Sequence, residues 1–204
     1  MQKANKLFWI ELTGIDKFLI HIARMYNNYH RFIFLHAGKC AGTSIKDALN
    51  DLVIEPNQLT SGHPTLSQCQ EAIEKQGLQF GQYYIFSITR NPWDRMVSWY
   101  YHALNTTASF SGSFDDFVCK RLIEKNENLL PPYDVCDFVI EFDNLQEDFS
   151  KVLNKLGFDS TQLPHRNHNS KRPKRNYQDY YSEKSKSIVQ DYFSEIIIKF
   201  NYSF

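Results

Sequence analysis

The sequence has little cysteine, and its cysteines are far apart. The four residues are Cys40, Cys69, Cys119 and Cys136, and they form neither a CxxC pair nor a Cys/His pattern at the spacing of metal ligands. Zinc sites and redox-active thiol pairs need such close spacing. The sequence therefore predicts no metal site, and it predicts four reduced thiols that are buried for packing.

The chain also lacks an excess of charge of either sign. Lys and Arg together number 23, as do Asp and Glu, so the formal net charge is +0. A neutral molecule has no overall field to attract a polyanion. We therefore expect no nucleic-acid partner and no anionic membrane as the main partner, and any anion site must come from a local cluster of charge.

A long uncharged apolar run is absent as well. The nearest candidate, "LFWIELTGIDKFLIHIA" at residues 7–23, is interrupted by Glu11, Asp16 and Lys17, and it lacks the layout of a signal peptide. Its apolar residues instead recur at helical spacing, at Phe8, Leu12, Ile15, Leu19, Ile22 and Met25. We predict that residues 1–30 are a helical extension packed on a cytoplasmic domain; attachment of this helix to the inner surface of a membrane is the alternative.

What the sequence does contain is enough apolar material for one well-packed core. Hydrophobic residues make up 42% of the chain and aromatic residues 15%. No internal repeat and no low-complexity linker divides the 204 residues. We therefore predict a single domain over residues 1–204, and no feature of the sequence indicates an oligomeric state.

Three segments share one pattern, in which a strand-like apolar run ends at a polar turn and a helical pattern follows. The runs are "RFIFLH" at 31–36, "YYIFSIT" at 83–89 and "CDFVIEF" at 136–142. Alternating strands and helices favour an α/β fold. We predict a P-loop-like three-layer fold with a central, mostly parallel sheet flanked by helices. Further helices are predicted at 66–76, at about 114–125 after Ser113, and at roughly 183–200 starting at Ser182.

Residues with capping chemistry mark where several helices begin and end. Asn91 precedes Pro92, which predicts a helix that starts at Pro92 with Asn91 as its N-cap. Asp143, followed three residues later by Gln146, predicts a second capped start, and Gly157 predicts the end of that helix. The polar turns therefore lie at the junctions between strands and helices.

The first junction lies in "FIFLHAGKCAGTS", residues 32–44, and has the composition of an anion-binding loop. A short loop that opens a helix directs several backbone N–H groups at one point, where the helix dipole favours negative charge. Its two glycines allow close approach, Lys39 adds a charge, and the hydroxyls of Thr43 and Ser44 can donate hydrogen bonds. A tight turn with an incidental lysine is the alternative.

The position of the lysine separates this loop from a nucleoside triphosphate P-loop. That motif, GxxxxGK[ST], places its lysine after the second glycine. Here Lys39 comes before Gly42. The order argues against a kinase-type phosphotransferase and against the Mg²⁺ ion that such a site holds.

A second anion site is indicated after the next strand. Arg90 follows "YYIFSIT", and Ser98 lies eight residues further on inside a predicted helix, so the two side chains can share one anion. Parallel strands bring their carboxyl ends to one edge of a sheet, where such folds bind ligands. Two anion-suited strand ends therefore predict a ligand with two separate anionic groups. The basic segment at 166–176 is either a further anion site or a solvated loop.

These motifs resemble those of a known family. "FIFLHAGKCAGTS" is similar to the 5′-phosphosulfate loop of the sulfotransferases, and "ITRNPWDRMVSWY" is similar to their 3′-phosphate motif. The resemblance covers about residues 31–204 and is to the carbohydrate, Golgi-type branch, in what looks like a soluble bacterial form. Cys40 and Ala41 depart from the commonest loop, which has Thr and Gly there.

The resemblance implies the co-substrate 3′-phosphoadenosine 5′-phosphosulfate (PAPS), no metal, and a glycan or glycoconjugate hydroxyl as the acceptor. It implies that the 5′-phosphosulfate is bound by the loop residues Lys39, Cys40, Ala41, Gly42, Thr43 and Ser44. Arg90 and Ser98 would bind the 3′-phosphate. Lys171 and Arg172 would close over that phosphate or steer an anionic acceptor.

For catalysis, the resemblance implies two residues. Lys39 would stabilise the bridging oxygen of the donor as its bond to sulfur breaks. His63, in "TSGHPTL", would take the proton of the acceptor hydroxyl, with His36, His165 and His168 as rival bases. The alternative functions are a P-loop phosphotransferase and a nucleotide-binding module without catalysis.

Overall fold

The computed structural model describes residues 23–53, 66–105, 109–124, 132–164, 172–173 and 175–204. The chain forms two compact units, of which the first comprises residues 1–89 and 128–166, and the second comprises 90–127 and 167–204. Among the described residues, the first unit contains the sheet and the second is built from helices. A single domain over the whole chain stays a prediction.

Four strands and seven α-helices occur in the described ranges. The strands are β1 (Ala23–Asn27), β2 (Phe32–Leu35), β3 (Tyr84–Thr89) and β4 (Phe138–Glu141). The helices are α1 (Gly42–Leu52), α2 (Leu66–Glu74), α3 (Pro92–Asn105), α4 (Phe114–Cys119), α5 (Leu145–Leu156), α6 (Glu183–Tyr192) and α7 (Ser194–Lys199). A π-helical turn continues α4 over Lys120–Glu124, and 3₁₀ turns occupy Phe80–Gln82, Tyr133–Val135, Phe142–Asn144 and Tyr177–Tyr180.

The sheet of the first unit has the strand order β1-β2-β3-β4. β1 runs antiparallel to β2, whereas β2, β3 and β4 are parallel to one another. Leu35 of β2 pairs with Ser87 of β3, and the buried Ser87 hydroxyl donates to the Leu35 carbonyl at 2.6 Å. The short, continuously apolar strands are typical of a parallel sheet that is covered on both faces. The predicted mostly parallel sheet is confirmed.

Helices cover both faces of this sheet. On one face α1 and α5 pack against the strands, and the buried cluster includes Phe34, Ile45, Phe86 and Phe149. On the other face α2 packs against the strands, and the buried cluster includes Ile33, Cys69 and Ile85. Neighbouring strand residues such as Ile33 and Phe34 serve opposite faces because side chains alternate along a strand. The predicted three-layer α/β architecture is confirmed.

The prediction of a helix over residues 1–30 is wrong at its end. Ala23–Asn27 form strand β1, and Met25 is fully buried there as a strand residue. A tight turn follows, in which the His30 N–H donates to Asn27 Oδ1 at 2.7 Å and Arg31 has a φ of 53°. Asparagine favours such turns because its side chain bonds the backbone ahead of it. The helical spacing of the apolar residues gives no sign of this turn. Residues 1–22 lie outside the described residues.

The start of α5 also differs from its prediction. Asp143 is exposed within a 3₁₀ turn, and the N-cap is Asn144, which makes no side-chain capping bond. Gln146 donates to the Thr161 carbonyl at 2.8 Å, so it fastens the segment after the helix rather than the helix start. The 3₁₀ turn moves the start of α5 beyond Asp143. The predicted end is confirmed, because Gly157 has a φ of 82°.

In the second unit, most predicted helix ends are confirmed. Asn91 caps α3, since its Oδ1 accepts from the Trp93 N–H at 3.0 Å. Ser113 and Ser182 each form a capping box, at the starts of α4 and α6. The helix predicted over 183–200 is divided at Phe193, where φ is −102° and ψ is 18°. The apolar periodicity continues through this break, so spacing alone does not reveal it.

Aromatic rings fill the interior of the second unit. Tyr100 makes edge-on contacts with four rings, at centroid distances of 5.3, 6.3, 5.5 and 5.6 Å to Tyr101, Phe110, Phe114 and Phe117. Edge-to-face contacts of this kind add to the stabilisation from burial. They hold α3 against α4, and the Tyr100 hydroxyl donates to a backbone carbonyl at Gly112.

The cysteines agree with the prediction of reduced thiols. All four are free, and the predicted burial is found for Cys40 and Cys69, whereas Cys119 and Cys136 are only half-buried. None of the helices in the described ranges has the length and apolar character needed to cross a membrane.

Candidate functional site

The lysine loop, residues 36–44, runs from the carboxyl end of β2 through the first turn of α1 in the first unit. Two of its residues have left-handed backbone conformations, with a φ of 65° at Lys39 and of 60° at Ala41. Cys40 between them does not have a positive φ. Left-handed residues at alternate positions are typical of backbone nests, in which successive N–H groups face one anion.

The left-handed conformation is costly for the residues that adopt it here. Neither Lys39 nor Ala41 is glycine, and each left-handed residue with a Cβ costs about 1–2 kcal/mol. The loop is held in place by packing, since Ala37 and Cys40 are fully buried in the core. Strained backbone of this kind persists only where the surroundings enforce it, and it is concentrated at functional sites.

The first turn of α1 carries positive potential. Ala41 occupies the N-cap position with a φ of 60° and a ψ of 14°, and no side chain caps the helix there. The first N–H groups of a helix have no acceptor within the helix. No acidic residue lies in this turn. The helix start is therefore suited to a bound anion.

His36 and Gly42 form a close contact beneath the loop. A Cβ placed on Gly42 would lie 1.5 Å from His36 Cδ2 and 2.0 Å from His36 Nε2. His36 is buried, with 6% of the residue's surface exposed. Gly42 is therefore required by packing against His36, whereas a Cβ on Gly38 would meet no protein atom within 4 Å.

The side chains of the loop are not equally placed to reach an anion. The Cys40 thiol is directed into the core and donates to the Gly38 carbonyl at 3.6 Å, so only the backbone of Cys40 can serve the site. Ser44 is buried, while Lys39 and Thr43 are half-buried. Lys39 and Thr43 are the loop side chains with the most access to a ligand.

In the second unit, an arginine cluster lies at the start of α3. Arg90 directly follows β3 in the chain, and its Nε donates to Asp94 Oδ2 at 2.7 Å. Arg172 donates through Nη2 to the other oxygen of the same carboxylate, Oδ1, at 2.8 Å. These side chains are largely buried, with exposed fractions of 12% for Arg90, 20% for Asp94 and 22% for Arg172. We call Arg90, Asp94 and Arg172 the arginine fork.

The carboxylate of the fork is ionised at neutral pH. Burial alone would raise the pKa of Asp94, but the charges of Arg90 and Arg172 and their hydrogen bonds together lower this pKa below its ordinary value. Two guanidinium groups and one carboxylate leave the fork with a charge of +1. The cluster therefore remains attractive to an anion.

Ser98 lies on the same side of α3 as the fork. Asp94 and Ser98 are four residues apart in this helix, and residues at that spacing are neighbours on the helix surface. Ser98 is half-buried. Ser98 therefore lies on the face of α3 that carries Asp94, whose carboxylate Arg90 contacts, and the shared use of one anion by Arg90 and Ser98 stays a prediction.

Several predicted residues fall outside the described part of the chain. These are His63, His165, His168 and Lys171. Sequence reasoning did not identify Asp94 as part of the site. Its spacing of four from Arg90 is a signal of an ion pair. No group of three His, Cys, Asp or Glu side chains able to hold a metal occurs in the described ranges.

Comparisons with known proteins indicate one family. The sulfotransferase family model matches residues 24–134, more than half of the 204-residue chain, and this segment includes the lysine loop, Arg90 and Ser98 but not Arg172. The chain is also 34% identical over 86 residues to an uncharacterized protein of Archaeoglobus fulgidus, with 38% of this chain and 71% of that protein covered. No solved structure matches the chain. The protein therefore belongs to the sulfotransferase family.

Proposed function

We propose that the protein transfers a sulfuryl group from PAPS to a hydroxyl of a carbohydrate or glycoconjugate. Membership of the family supports sulfuryl transfer in general. The observation that carries the proposal is the alternating left-handed backbone at Lys39 and Ala41, directly before a helix without a side-chain cap. A nest of this kind accepts the tetrahedral oxyanions found at the 5′ end of PAPS.

The 5′-phosphosulfate is assigned to the lysine loop and the first turn of α1. Cys40 and Ala41 contribute backbone N–H groups, because the thiol of Cys40 is buried in the core. Gly42 contributes its N–H and its lack of a side chain. The hydroxyls of Thr43 and Ser44 add hydrogen bonds at the helix start.

The 3′-phosphate is assigned to the second motif. The guanidinium of Arg90 matches the geometry of a phosphate, and Ser98 supplies a hydroxyl on the same face of α3. Arg172 adds a second guanidinium through its contact with Asp94. Lys171 precedes Arg172 in the chain and is assigned to the same phosphate.

The reaction is an in-line displacement at sulfur. The acceptor oxygen forms a new S–O bond while the bond between sulfur and the bridging oxygen of the donor breaks, and negative charge grows on that bridging oxygen. Lys39 stabilises this charge together with the loop N–H groups. The bisphosphate product leaves with the electron pair of the broken bond.

A base accepts the proton of the acceptor hydroxyl, and we assign this role to His63. The support for His63 is its position in the sequence, directly after Gly62 and between the two donor motifs. Among its rivals, His36 is buried against Gly42, which suits it to supporting the loop rather than meeting an acceptor. A His63→Ala variant should bind the donor normally but lose turnover. Full turnover in that variant would remove His63 as the base.

Ligand binding tests the donor directly. A thermal-shift panel compares adenosine 3′,5′-bisphosphate with ATP and GTP, each with and without Mg²⁺. At 100 times its dissociation constant, a ligand stabilises the folded state by about 2.7 kcal/mol, which raises the Tm of a chain of this size by about 5–10 °C. We expect this shift for the bisphosphate alone. A larger shift with MgATP would support a phosphotransferase instead.

The acceptor requires a separate test, because the assignment to carbohydrates rests on the resemblance in sequence. The chain is incubated with PAPS and a panel of neutral glycans, uronic-acid glycans and phenols, and sulfated products are measured by mass. We expect product with glycans. Product with phenols alone would show that the acceptor class is wrong while leaving sulfuryl transfer intact. Binding of the bisphosphate with no product from any acceptor would favour a module without catalysis.

A further inference from the structure

Asp94 joins two arginines that come from distant parts of the chain. Arg90 lies four residues before it, and Arg172 lies 78 residues after it. Both arginines and Asp94 belong to the second unit. The family match ends at residue 134, so the segment that carries Arg172 lies outside it. The contact with Asp94 is what connects that segment to the start of α3.

The two contacts use different atoms of the carboxylate. Oδ2 accepts from Arg90 Nε at 2.7 Å and from Arg90 Nη2, while Oδ1 accepts from Arg172 Nη2 at 2.8 Å. Asp94 thus holds Arg90 by one edge of its guanidinium, the edge formed by Nε and Nη2. The backbone of Asp94 is itself fixed, because its N–H donates to the Asn91 cap at 3.3 Å.

We propose that Asp94 is a positioning residue that aligns the guanidinium groups of Arg90 and Arg172 as one clamp for the 3′-phosphate of the donor. This inference rests on the proposed function. Asp94 does not touch the phosphate, since two anions repel; it acts through the arginines. Holding two long side chains in place before binding removes an ordering cost that would otherwise weaken affinity.

If only the net charge of the fork mattered, Asp94 would weaken binding of the 3′-phosphate, whereas a positioning role strengthens it. The fork carries a charge of +1, from two arginines and one aspartate, and a neutral residue at position 94 would leave +2. A higher positive charge attracts a phosphate more strongly. If Asp94 were only a neighbouring charge, its removal would tighten binding of the 3′-phosphate. If it positions the arginines, its removal weakens that binding.

The test uses the full chain and two nucleotides that differ only in the 3′-phosphate. Affinities for adenosine 3′,5′-bisphosphate and for adenosine 5′-monophosphate are measured by calorimetry, and their ratio reports the 3′-phosphate site. We expect Asp94→Asn to lower the ratio about tenfold and Arg172→Ala to lower it about 10- to 100-fold. Asp94→Glu, which keeps the carboxylate, should recover part of the loss. Asp191→Asn, an exposed aspartate in α6, should leave the ratio unchanged.

The Tm of each variant is measured alongside, so that a folding defect is recognised. In turnover assays the loss should appear in the KM for PAPS with little change in kcat, because the 3′-phosphate is bound equally in the ground and transition states. Because Asp94 acts through Arg172, Asp94→Asn should have a smaller effect when Arg172 is already alanine.

The outcomes separate this inference from the proposed function. A wild-type chain with no preference for the bisphosphate would overturn both. A wild-type preference that Asp94→Asn leaves unchanged or increases would overturn the positioning role alone. Should Asp94→Asn fail to fold, full additivity of Asp94→Glu and Arg172→Ala would overturn it in the same way.

Discussion

The lysine loop and the arginine fork are two anion sites of different construction. The loop is made from backbone within one short stretch, residues 36–44, and its shape depends on left-handed residues and on the packing of His36 against Gly42. The fork is made from side chains of two distant segments, with Arg172 lying 78 residues after Asp94, and is held by hydrogen bonds to one carboxylate. A backbone site should therefore fail when packing changes, and a side-chain site should fail when charge or hydrogen bonding changes.

The two sites also differ in where their stability comes from. In the loop, strain at Lys39 and Ala41 is imposed by buried neighbours, so the core stabilises the site. In the fork, buried charges compensate one another, so the site depends on all three partners being present. Substitutions that change packing should therefore affect the loop, and substitutions that change charge or hydrogen bonding should affect the fork.

The largest effect is expected from Gly42→Ala. The new Cβ would lie 1.5 Å from His36 Cδ2, and the buried imidazole has little room to move. We expect the free energy of unfolding to fall by about 3 kcal/mol or more, with loss of donor binding, because overpacking forces side chains and backbone from their positions. Urea denaturation and calorimetry measure the two quantities.

Gly38→Ala is the matched control, since a Cβ there meets no protein atom within 4 Å. Its free energy of unfolding should stay within about 0.5 kcal/mol of wild type. His36→Ala should restore part of the stability lost in Gly42→Ala. Equal destabilisation by both glycine substitutions would show that backbone freedom, rather than the contact with His36, makes Gly42 necessary.

Lys39→Ala should affect catalysis rather than stability. The loop keeps its N–H groups, but the ammonium that opposes the growing charge on the bridging oxygen is lost. We expect kcat to fall about 100- to 1000-fold, with a change in unfolding free energy below about 1 kcal/mol. Lys46→Ala, a change to a half-buried lysine one turn into α1, should keep kcat within about twofold. Similar losses in both variants would indicate that overall charge, and not Lys39, serves the reaction.

Much of the fold was predictable because its signals are local. The apolar runs at β2, β3 and β4 and the caps at Asn91, Ser113 and Ser182 each act within a few residues, and the structure confirms them. The lysine loop is local as well, because its glycines and its lysine are close together in the chain and indicate an anion site by their composition. The left-handed conformation of Ala41 was not predictable, because tertiary packing enforces it on a residue that does not favour it.

Two of the errors, at β1 and at Asp94, come from tertiary context. β1 forms because a turn at Asn27 returns the chain so that it pairs with β2. The helical spacing of the apolar residues up to Met25 gives no information about that pairing. The break at Phe193 follows an unbroken apolar pattern. Asp94 was missed as part of the site because its second partner, Arg172, lies 78 residues away. Sequence reasoning found both arginines but not the carboxylate that joins them.

Acid should weaken the second unit through the fork. The pKa of Asp94 is lowered in the folded state from its ordinary value of 3.8, so its contribution is fully present above that value and is lost as the pH falls through the folded pKa. At pH 7, Asp94→Asn should cost about 1.5–3 kcal/mol of unfolding free energy through its hydrogen bonds to charged groups. Denaturation curves between pH 7 and pH 2.5 should show this difference shrinking below pH 4. A difference that stays constant with pH would mean that the charge of Asp94 does not stabilise the fold.

The smallest effect is expected from Ala41→Gly, and it tests the backbone construction of the lysine loop most directly. Glycine relieves a left-handed strain of about 1–2 kcal/mol but adds about 0.5–1 kcal/mol of chain entropy in the unfolded state, so the unfolding free energy should rise by about 1 kcal/mol or less. Ala48→Gly, in the buried helical interior of α1, should instead lower it by about 1 kcal/mol. Because the N–H of residue 41 is kept, affinity for adenosine 3′,5′-bisphosphate should not change. A tenfold loss of that affinity would show that the loop depends on rigidity supplied by the Ala41 side chain. The loop, like the fork, would then depend on a side chain for its shape.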